Sequence, residues 1–511
     1  MSTIDRDTSP TETPPNDNDA PRIGVDEWVA QAEQRHRQNS GWRGWLIAWW
    51  SATPLWGRIG AAVLVLILFP LLTNLESTLS LFDISSNNFI VRIGITFLAF
   101  AILAIGLNVV VGYAGLLDLG YVAFFGLAGY AYAYLSSDFI EGGVHVPSLI
   151  SVPLIILFVA AVGWGLGALS IRLYGDYLAI VTLGFGILLV QLATTLTRVS
   201  LPWSNQPVDL TRGPNGINGL DGINLLGYEI TSSLQYYYLF LILLLGVIVV
   251  VHHLNQSRLG RAWRAMREDE LAAEVMGMPT RRLKLMAFAM GAAIAALSGT
   301  VFAAWQGNVV PNRYNVLALI ELYAMVVLGG TGSLFGVIVG ALIFTTLPEI
   351  LRNPQLAGLL FYAGLLVGLV AWLKFSWRLL AVLGGTLLGA VLFKLVVGAA
   401  WPAIDSGIFP TNGSIVNRWV QWWLVIPPNF QLVGNIVIGG AVATLLLTLV
   451  LKSPWRWLTL GLSLYMFVFA WETRLAAEPS VTRILIVGTT LVVLMIIRPQ
   501  GLFGKTQVLI V

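Results

Sequence analysis

The sequence predicts an all-α, polytopic membrane helical bundle, on three observations: a scarcity of charge, a series of long apolar runs, and loop charges that alternate along the chain. Of 511 residues, 57% are hydrophobic and 11% are charged. A soluble domain carries about 25% charged residues, so lipid must replace water over most of this surface. The 52 glycines and 19 tryptophans suit that solvent, since glycine is frequent in membrane helices and tryptophan favours the headgroup region. The absence of cysteine excludes disulfides and thiolate metal sites. The histidines, His36, His145, His252 and His253, are too scattered for a metal cluster. A net charge of +3 spread over many loops speaks for membrane orientation and against nucleic-acid binding.

Residues 1 to about 24 are rich in Asp, Thr, Pro and Asn; they cannot bury a core, and disorder is expected. In 25–58, Trp42, Trp45, Trp49 and Trp56 share one helical face beside Arg43 and Arg58, which predicts either an interfacial helix or a lead-in to the first span. The first sustained apolar run starts near Ile59, too late for a cleavable signal peptide. About fourteen candidate spans follow, near 59–73, 89–111, 116–136, 147–171, 177–197, 235–253, 285–306, 317–330, 333–347, 357–373, 379–397, 431–451, 457–471 and 484–497. With the N-terminus inside, even-numbered spans end at Arg172, at the block 254–284, at Lys374/Arg378, at Lys452/Arg456 and at Arg498/Lys505, whereas Glu76, Asp83, Asp138 and Glu141 fall outside. Cytoplasmic loops hold the Lys and Arg, so both termini are expected in the cytoplasm.

The most informative polar stretch runs from Ser257 to Lys284. Arg258, Arg261, Arg264 and Arg267 recur every third residue. Arg264 and Glu268 are spaced to pair, Leu271 and Val275 share a face, and Gly277 with Pro279 ends the pattern. A short amphipathic helix between two spans is expected, with Ala272 and Ala273 allowing close approach. It reads as a knob that docks into a partner; the alternative is a basic loop that fixes topology. Orientation alone needs no ordered run such as Arg267-Glu268-Asp269-Glu270-Leu271-Ala272-Ala273, which favours docking.

Glycines punctuate two apolar regions: Gly106, Gly112, Gly115, Gly120, Gly126 and Gly129, then Gly329, Gly330, Gly332, Gly336 and Gly340. They permit close packing or a helix break that lines a cavity. Asp118 lies within the first cluster, and two readings stand level: an ionisable group on a pathway, or a helix cap. Gly112-x-x-Gly115-x-Leu117 is echoed by Gly329-x-x-Gly332-x-Leu334, each preceded by a valine two residues upstream and each at a predicted inner turn.

The 257–284 stretch resembles the cytoplasmic coupling loop of the branched-chain amino acid ABC transporter permeases. The likeness extends to Gly112–Tyr121 (GYAGLLDLGY), Gly175–Gly186 (GDYLAIVTLGFG), Thr211–Ile217 (TRGPNGI), Val326–Ser333 (VVLGGTGS) and Arg498–Leu502 (RPQGL), in the family's order. The chain departs from that pattern at Ile187 and Val190, where family members usually carry Glu and often Arg. It departs again after Leu351-Arg352, where roughly 130 residues intervene before the last span. The resemblance implies a membrane-spanning permease subunit of an ATP-binding cassette importer in the bacterial cytoplasmic (inner) membrane. Its implied partners are a second permease subunit, two cytoplasmic ATP-binding subunits that use the ATP, and an extracytoplasmic solute-binding protein; no cofactor is bound by this chain.

Four regions are expected: 1–58, a cytoplasmic segment with the Trp-rich helix; 59–352, a permease core with the coupling loop 254–284; 353–480, an additional membrane bundle; and 481–511, the final span and cytoplasmic tail. ATPase coupling is expected at Arg264, Arg267, Glu268, Asp269, Glu270, Ala272, Ala273 and Gly277. Path candidates are Gly112, Gly115, Asp118, Gly120, Tyr121, Asp176, Tyr177, Thr182, Gly184, Gly329, Gly332 and, unless it snorkels to the interface, Glu321. No phosphate-binding Gly-Lys loop, catalytic triad or paired carboxylate suggests an enzyme. Alternatives are a permease of the same architecture for urea or short amides, and a stand-alone secondary transporter or channel, which would want more membrane-embedded charge.

Overall fold

The computed structural model describes residues 64–70, 89–139, 144–170, 176–197, 199, 209–225, 227–351, 354–373, 376–405, 407, 419–420, 422–451, 455–475, 488–489, 492 and 501–503. The chain divides into two compact units, residues 1–69 and 70–511. In the first, residues 64–68 are helical, with Leu64 and Val65 exposed. The expected Trp-rich helix lies outside the described residues, as do most of the first and last expected spans.

The second unit runs through α1 (Phe89–Asn108), α2 (Tyr121–Leu135), α3 (Ser148–Ser170), α4 (Asp176–Thr195), α5 (Ser233–Gln256), α6 (Arg258–Glu268), α7 (Glu270–Val275), α8 (Thr280–Gln306), α9 (Val316–Gly329), α10 (Leu334–Ile350), α11 (Pro354–Leu373), α12 (Trp377–Ala400), α13 (Phe430–Val450) and α14 (Trp455–Ala470). Every expected span between the first and the last falls on one of these helices. Among the described residues, six helices are long and apolar enough to cross a membrane, and four shorter ones are apolar. Helices are the natural form here, because in lipid a segment must satisfy its backbone polar groups internally.

Burial separates the helices by role. The apolar window of α1 is 89% buried and that of α8 72%, against 22% for both α3 and α4. Helix α8 runs against α1, α2 and α3. Its small residues allow this approach: Gly299 abuts the Phe125 carbonyl, Gly291 abuts Val110, and Ser298 Oγ donates to the Ala99 carbonyl at 2.8 Å. Helices α3 and α4 turn Leu157, Leu169 and Ile180 outward, as lipid-facing surfaces require.

The two ends of the bundle differ. At one end, short antiparallel pairs gather the loops: β1 (Ser136–Ser137) with β2 (Val144–His145), β3 (Ile217–Asn218) with β6 (Asn308–Val309), and β4 (Asn224–Leu225) with β5 (Tyr228–Glu229). Tyr132 donates to the Asp221 carbonyl at 3.0 Å, and the His145 ring meets Asp221 at 2.6 Å and Asp138 at 3.0 Å. These are loops expected outside. At the other end, α6 meets the end of α1 at Gly112, so segments expected inside also lie together.

Two elements differ from expectation. The third span begins at Tyr121 rather than near 116, because Gly115 takes a left-handed φ of 72° and Asp118 caps the following turn. The loop helix is two helices, since Asp269 is extended (φ −155°) and its carboxylate accepts the Ala272 N–H at 2.9 Å, starting α7. Arg264 donates to the Asn255 carbonyl at 3.3 Å, not to Glu268.

Within 353–480, α13 and α14 pair and α14 also contacts α12. A core forms from Ala390, Val420, Trp423, Leu424, Ile426, Val468 and Phe469. Trp471 stacks on Phe361 with ring centroids 4.3 Å apart, Tyr362 donates to Glu472 at 2.6 Å, and Lys394 donates to the Leu424 carbonyl at 2.8 Å.

Candidate functional site

Helix α1 widens into a π-helical turn over Val109–Tyr113, and the chain reverses at Gly115. The α9–α10 hairpin reverses at Gly330 and Gly332, both with positive φ. These two turns, the pair that echo each other in sequence, are in contact. The Asn108 side-chain carbonyl accepts the Gly332 N–H at 2.8 Å. A Cβ on Gly112 would lie 2.6 Å from the Gly332 nitrogen, so only glycine lets the two backbones meet there. Arg267, in the last turn of α6, donates to the Gly112 carbonyl, while Gly115 lies against its stem, where a Cβ would come within 2.7 Å of Cγ.

The tail reaches the same place. Leu502 N–H donates to the Leu328 carbonyl at 2.8 Å, Phe503 N–H to that of Gly329 at 3.1 Å, and the Phe503 ring meets Phe335 edge-on. Four of the sequence motifs thus converge on one end of the bundle. The Arg-Pro-Gln part of the tail lies outside the described residues.

A second cluster builds on Asp118. The residue is fully buried; Oδ1 accepts the Gly120 N–H at 2.9 Å, and its carbonyl accepts the Tyr323 hydroxyl at 2.7 Å. Oδ2 meets no partner among the described residues. Leu119 N–H donates to Thr182 Oγ1 at 3.0 Å, Gly120 lies against the Thr182 carbonyl, and Tyr121 donates to the Gly291 carbonyl at 3.0 Å. An apolar crevice lined by Leu119, Gly120, Leu183, Gly186, Ile187 and Leu319 opens beside it. The expected path residues Gly112, Gly115, Asp118, Gly120, Tyr121, Thr182, Gly329 and Gly332 therefore fall into two neighbouring clusters. Tyr177 is exposed and nothing lies within 4 Å of a Cβ at Gly184, so neither joins them; Glu321 is exposed on α9. Asp176 opens α4, and its side chain lies outside the described residues.

The helix pair α6–α7 is held on one side and free on the other. Trp263 is fully buried, and its Nε1–H donates to the Leu283 carbonyl at 2.9 Å; Lys284, 5% exposed, pairs with Glu270 at 2.6 Å. Both contacts fix the pair to the start of α8. Ala273 is buried, whereas Ala272, Glu268 and Asp269 are exposed and Gly277 ends the segment with φ 82°. At the tip, Leu271, Val275 and Met276 are 69%, 86% and 78% exposed. These three apolar side chains stand exposed together in an otherwise basic loop. Sequence reasoning missed Asn108, Trp263, Tyr323 and Met276. Asn108, a lone amide in an apolar helix four residues before Gly112, carried a readable signal.

A profile for the branched-chain amino acid transport system / permease component family matches residues 89–370, just over half of the chain. The high-affinity branched-chain amino acid transport system permease protein LivM of Escherichia coli K12 is 37% identical over 296 residues, covering 53% of this chain and 66% of that protein. The corresponding LivH of the same strain is 37% identical over 90 residues, covering 18% of this chain and 29% of that protein. The autoinducer 2 import system permease protein LsrC of Yersinia pestis (strain Pestoides F) is 33% identical over 104 residues, 19% of this chain and 29% of that protein. No solved structure matches.

Proposed function

The chain belongs to the branched-chain amino acid transport system permease component family, and from that premise we propose that it is the membrane-spanning permease subunit of an ATP-driven importer of branched-chain amino acids. The observation that carries this reading is the exposed apolar tip of Leu271, Val275 and Met276, on a helix pair anchored to α8 at the end of the bundle where the two glycine turns meet. A pore or secondary transporter working alone has no use for such a tip. An ATPase that must push on the membrane helices needs one.

On this reading the chain takes fourteen spans in the bacterial inner membrane, with both termini cytoplasmic. The basic 254–284 loop and the tail at 501–503 share one end with the glycine turns, which is what an even span count requires. A second permease subunit completes the path, two cytoplasmic ATP-binding subunits hydrolyse ATP, and an extracytoplasmic binding protein delivers solute to the end formed by β1–β6. The chain itself binds no cofactor and catalyses no reaction. The bundle over 353–480 is a scaffold outside the path. The test is uptake of labelled leucine, isoleucine and valine by cells carrying or lacking the intact chain, with urea and acetamide as competitors. Uptake that needs both the chain and ATP, and that valine but not urea suppresses, supports the reading. Suppression by urea moves the substrate to short amides, and uptake indifferent to ATP overturns it.

A further inference from the structure

We propose that Arg267 is the positioning residue through which the α6–α7 pair sets the separation of the two inner glycine turns. The inference rests on the importer reading and adds to it the element that carries motion inward. Arg267 stands two residues before the Asp269 break that separates α6 from α7 and its exposed tip. Its guanidinium donates to the Gly112 carbonyl, and Gly332 lies beside the same group, where a Cβ would fall 3.0 Å from Nη1. Gly115 packs on the arginine stem. One side chain of the cytoplasmic helix therefore touches both turns: the end of the buried helix α1 and the reversal of the α9–α10 hairpin.

The turns also hold each other, through the Asn108 side-chain carbonyl and the Gly332 N–H at 2.8 Å. Arg267 closes the remaining side. A basic residue that served only to orient the loop would need no glycines cleared around it. Here two are: a side chain at Gly115 would meet the arginine stem and one at Gly332 the guanidinium, while one at Gly112 would meet Asn108 or the backbone of Gly332, where the turns themselves touch. An arginine fork is suited to the role, because it presents several donors in a rigid plane and keeps its charge at any physiological pH. When the α6–α7 pair is displaced as a unit, Arg267 leaves Gly112, and the turns are held by the Asn108–Gly332 bond without it.

The chain contains no cysteine, so single reporters can be introduced without removing anything. Ala114, 2% exposed in the first turn, becomes Ala114→Cys, and labelling by a membrane-impermeant maleimide is followed in inside-out vesicles holding the whole transporter. Adding Arg267→Ala is expected to raise the labelling rate about tenfold, the loss expected for one hydrogen bond to a charged donor. Arg267→Lys, which keeps the charge but not the fork, is expected to fall between. Val275→Cys at the tip reports the local fold and, read on the full chain purified in mild detergent without its partners, is expected to label equally in all three backgrounds. With Arg267 present, ATP and vanadate are expected to change the labelling of Cys at position 114, and with Arg267→Ala they are not. Equal labelling at 114 with and without Arg267, or an unaltered nucleotide response in Arg267→Ala, overturns the proposal. Unequal labelling at 275 does so too, because the arginine then acts on the fold of the helix pair. If no ATPase accompanies the chain, the importer reading fails by itself, and the nucleotide-free labelling still decides whether Arg267 holds the turns.

Discussion

Trp263 and Leu283 join the α6–α7 helix pair to the membrane bundle: the indole Nε1–H donates to the carbonyl at 2.9 Å in a site with no solvent exposure of the tryptophan. The bond fixes α6 against the first turn of α8, so a push on α7 is resisted at that point. Trp263→Phe keeps most of the buried area and removes the donor, and is expected to cost about 1 kcal/mol. Trp263→Ala opens a cavity and is expected to cost about 3–5 kcal/mol. Thermal unfolding of the purified chain in mild detergent measures both, and an alanine variant as stable as the parent would show that α6 is not anchored there.

The pair Glu270 and Lys284, 2.6 Å apart with the lysine side chain 7% exposed, acts in parallel. Removing the carboxylate takes a counter-charge from a buried ammonium. A double-mutant cycle with Glu270→Gln and Lys284→Met is expected to return a coupling of about 1–3 kcal/mol. A coupling near zero would mean that the ion pair contributes nothing to holding α7.

In the α9–α10 hairpin, a Cβ on Gly336 would lie 2.1 Å from the Gly329 carbonyl oxygen, and one on Gly340 2.0 Å from that of Met325. The obstacle is backbone, which cannot swing away. Gly336→Ala is expected to destabilise by about 1–3 kcal/mol and to loosen the tail that docks on Leu328 and Gly329, read as faster proteolysis near residue 501. Gly364→Ala, inside α11 where nothing lies within 4 Å, is the matched control and is expected to leave the tail unchanged and to raise stability by up to about 1 kcal/mol.

Much of this was legible in the sequence. The helices, and which loops gather at the same end of the bundle, followed from charge and apolar run length. The glycine echo at 112–115 and 329–332 marked two turns that touch, and a repeated need for bare backbone is visible in residue type. What was not legible depends on distance along the chain. Nothing near Arg267 says that it reaches Gly112, 155 residues away in sequence, and nothing near Asp118 identifies Tyr323 as the donor to its carbonyl. The split of the loop helix at Asp269 turned on one extended residue. That Asp could stand mid-helix or cap the next one, and only the folded backbone decides.

At the opposite end, the His145 ring lies between Asp221 and Asp138, and hydrogen bonding to Asp221, then to Asp138, raises its pKa. The folded value lies above the unfolded one, so the stabilisation is fully present below the unfolded pKa of about 6.5 and is lost as pH rises through the folded value. Hydrogen exchange of 217–225, corrected for intrinsic rates, is expected to show protection falling as pH rises, and His145→Gln is expected to flatten the profile. A profile that is the same in both chains would remove His145 from the loop contact.

The tip of α7 is separable from all of these. Val275→Ser and Met276→Ser alter side chains that are 86% and 78% exposed, and are expected to change stability by no more than about 0.5 kcal/mol. They are expected to lower ATP-driven uptake while leaving the chain in the membrane in normal amount. Full uptake in the double variant would take the tip out of the coupling.

The most direct test of the account is a gentle-detergent pull-down of the intact chain from its native membrane, run beside the Val275→Ser/Met276→Ser variant. The account predicts a nucleotide-binding ATPase and a second hydrophobic permease with the parent chain, and loss of the ATPase alone with the variant. Recovery of the chain by itself, still moving solute into liposomes without ATP, would contradict it.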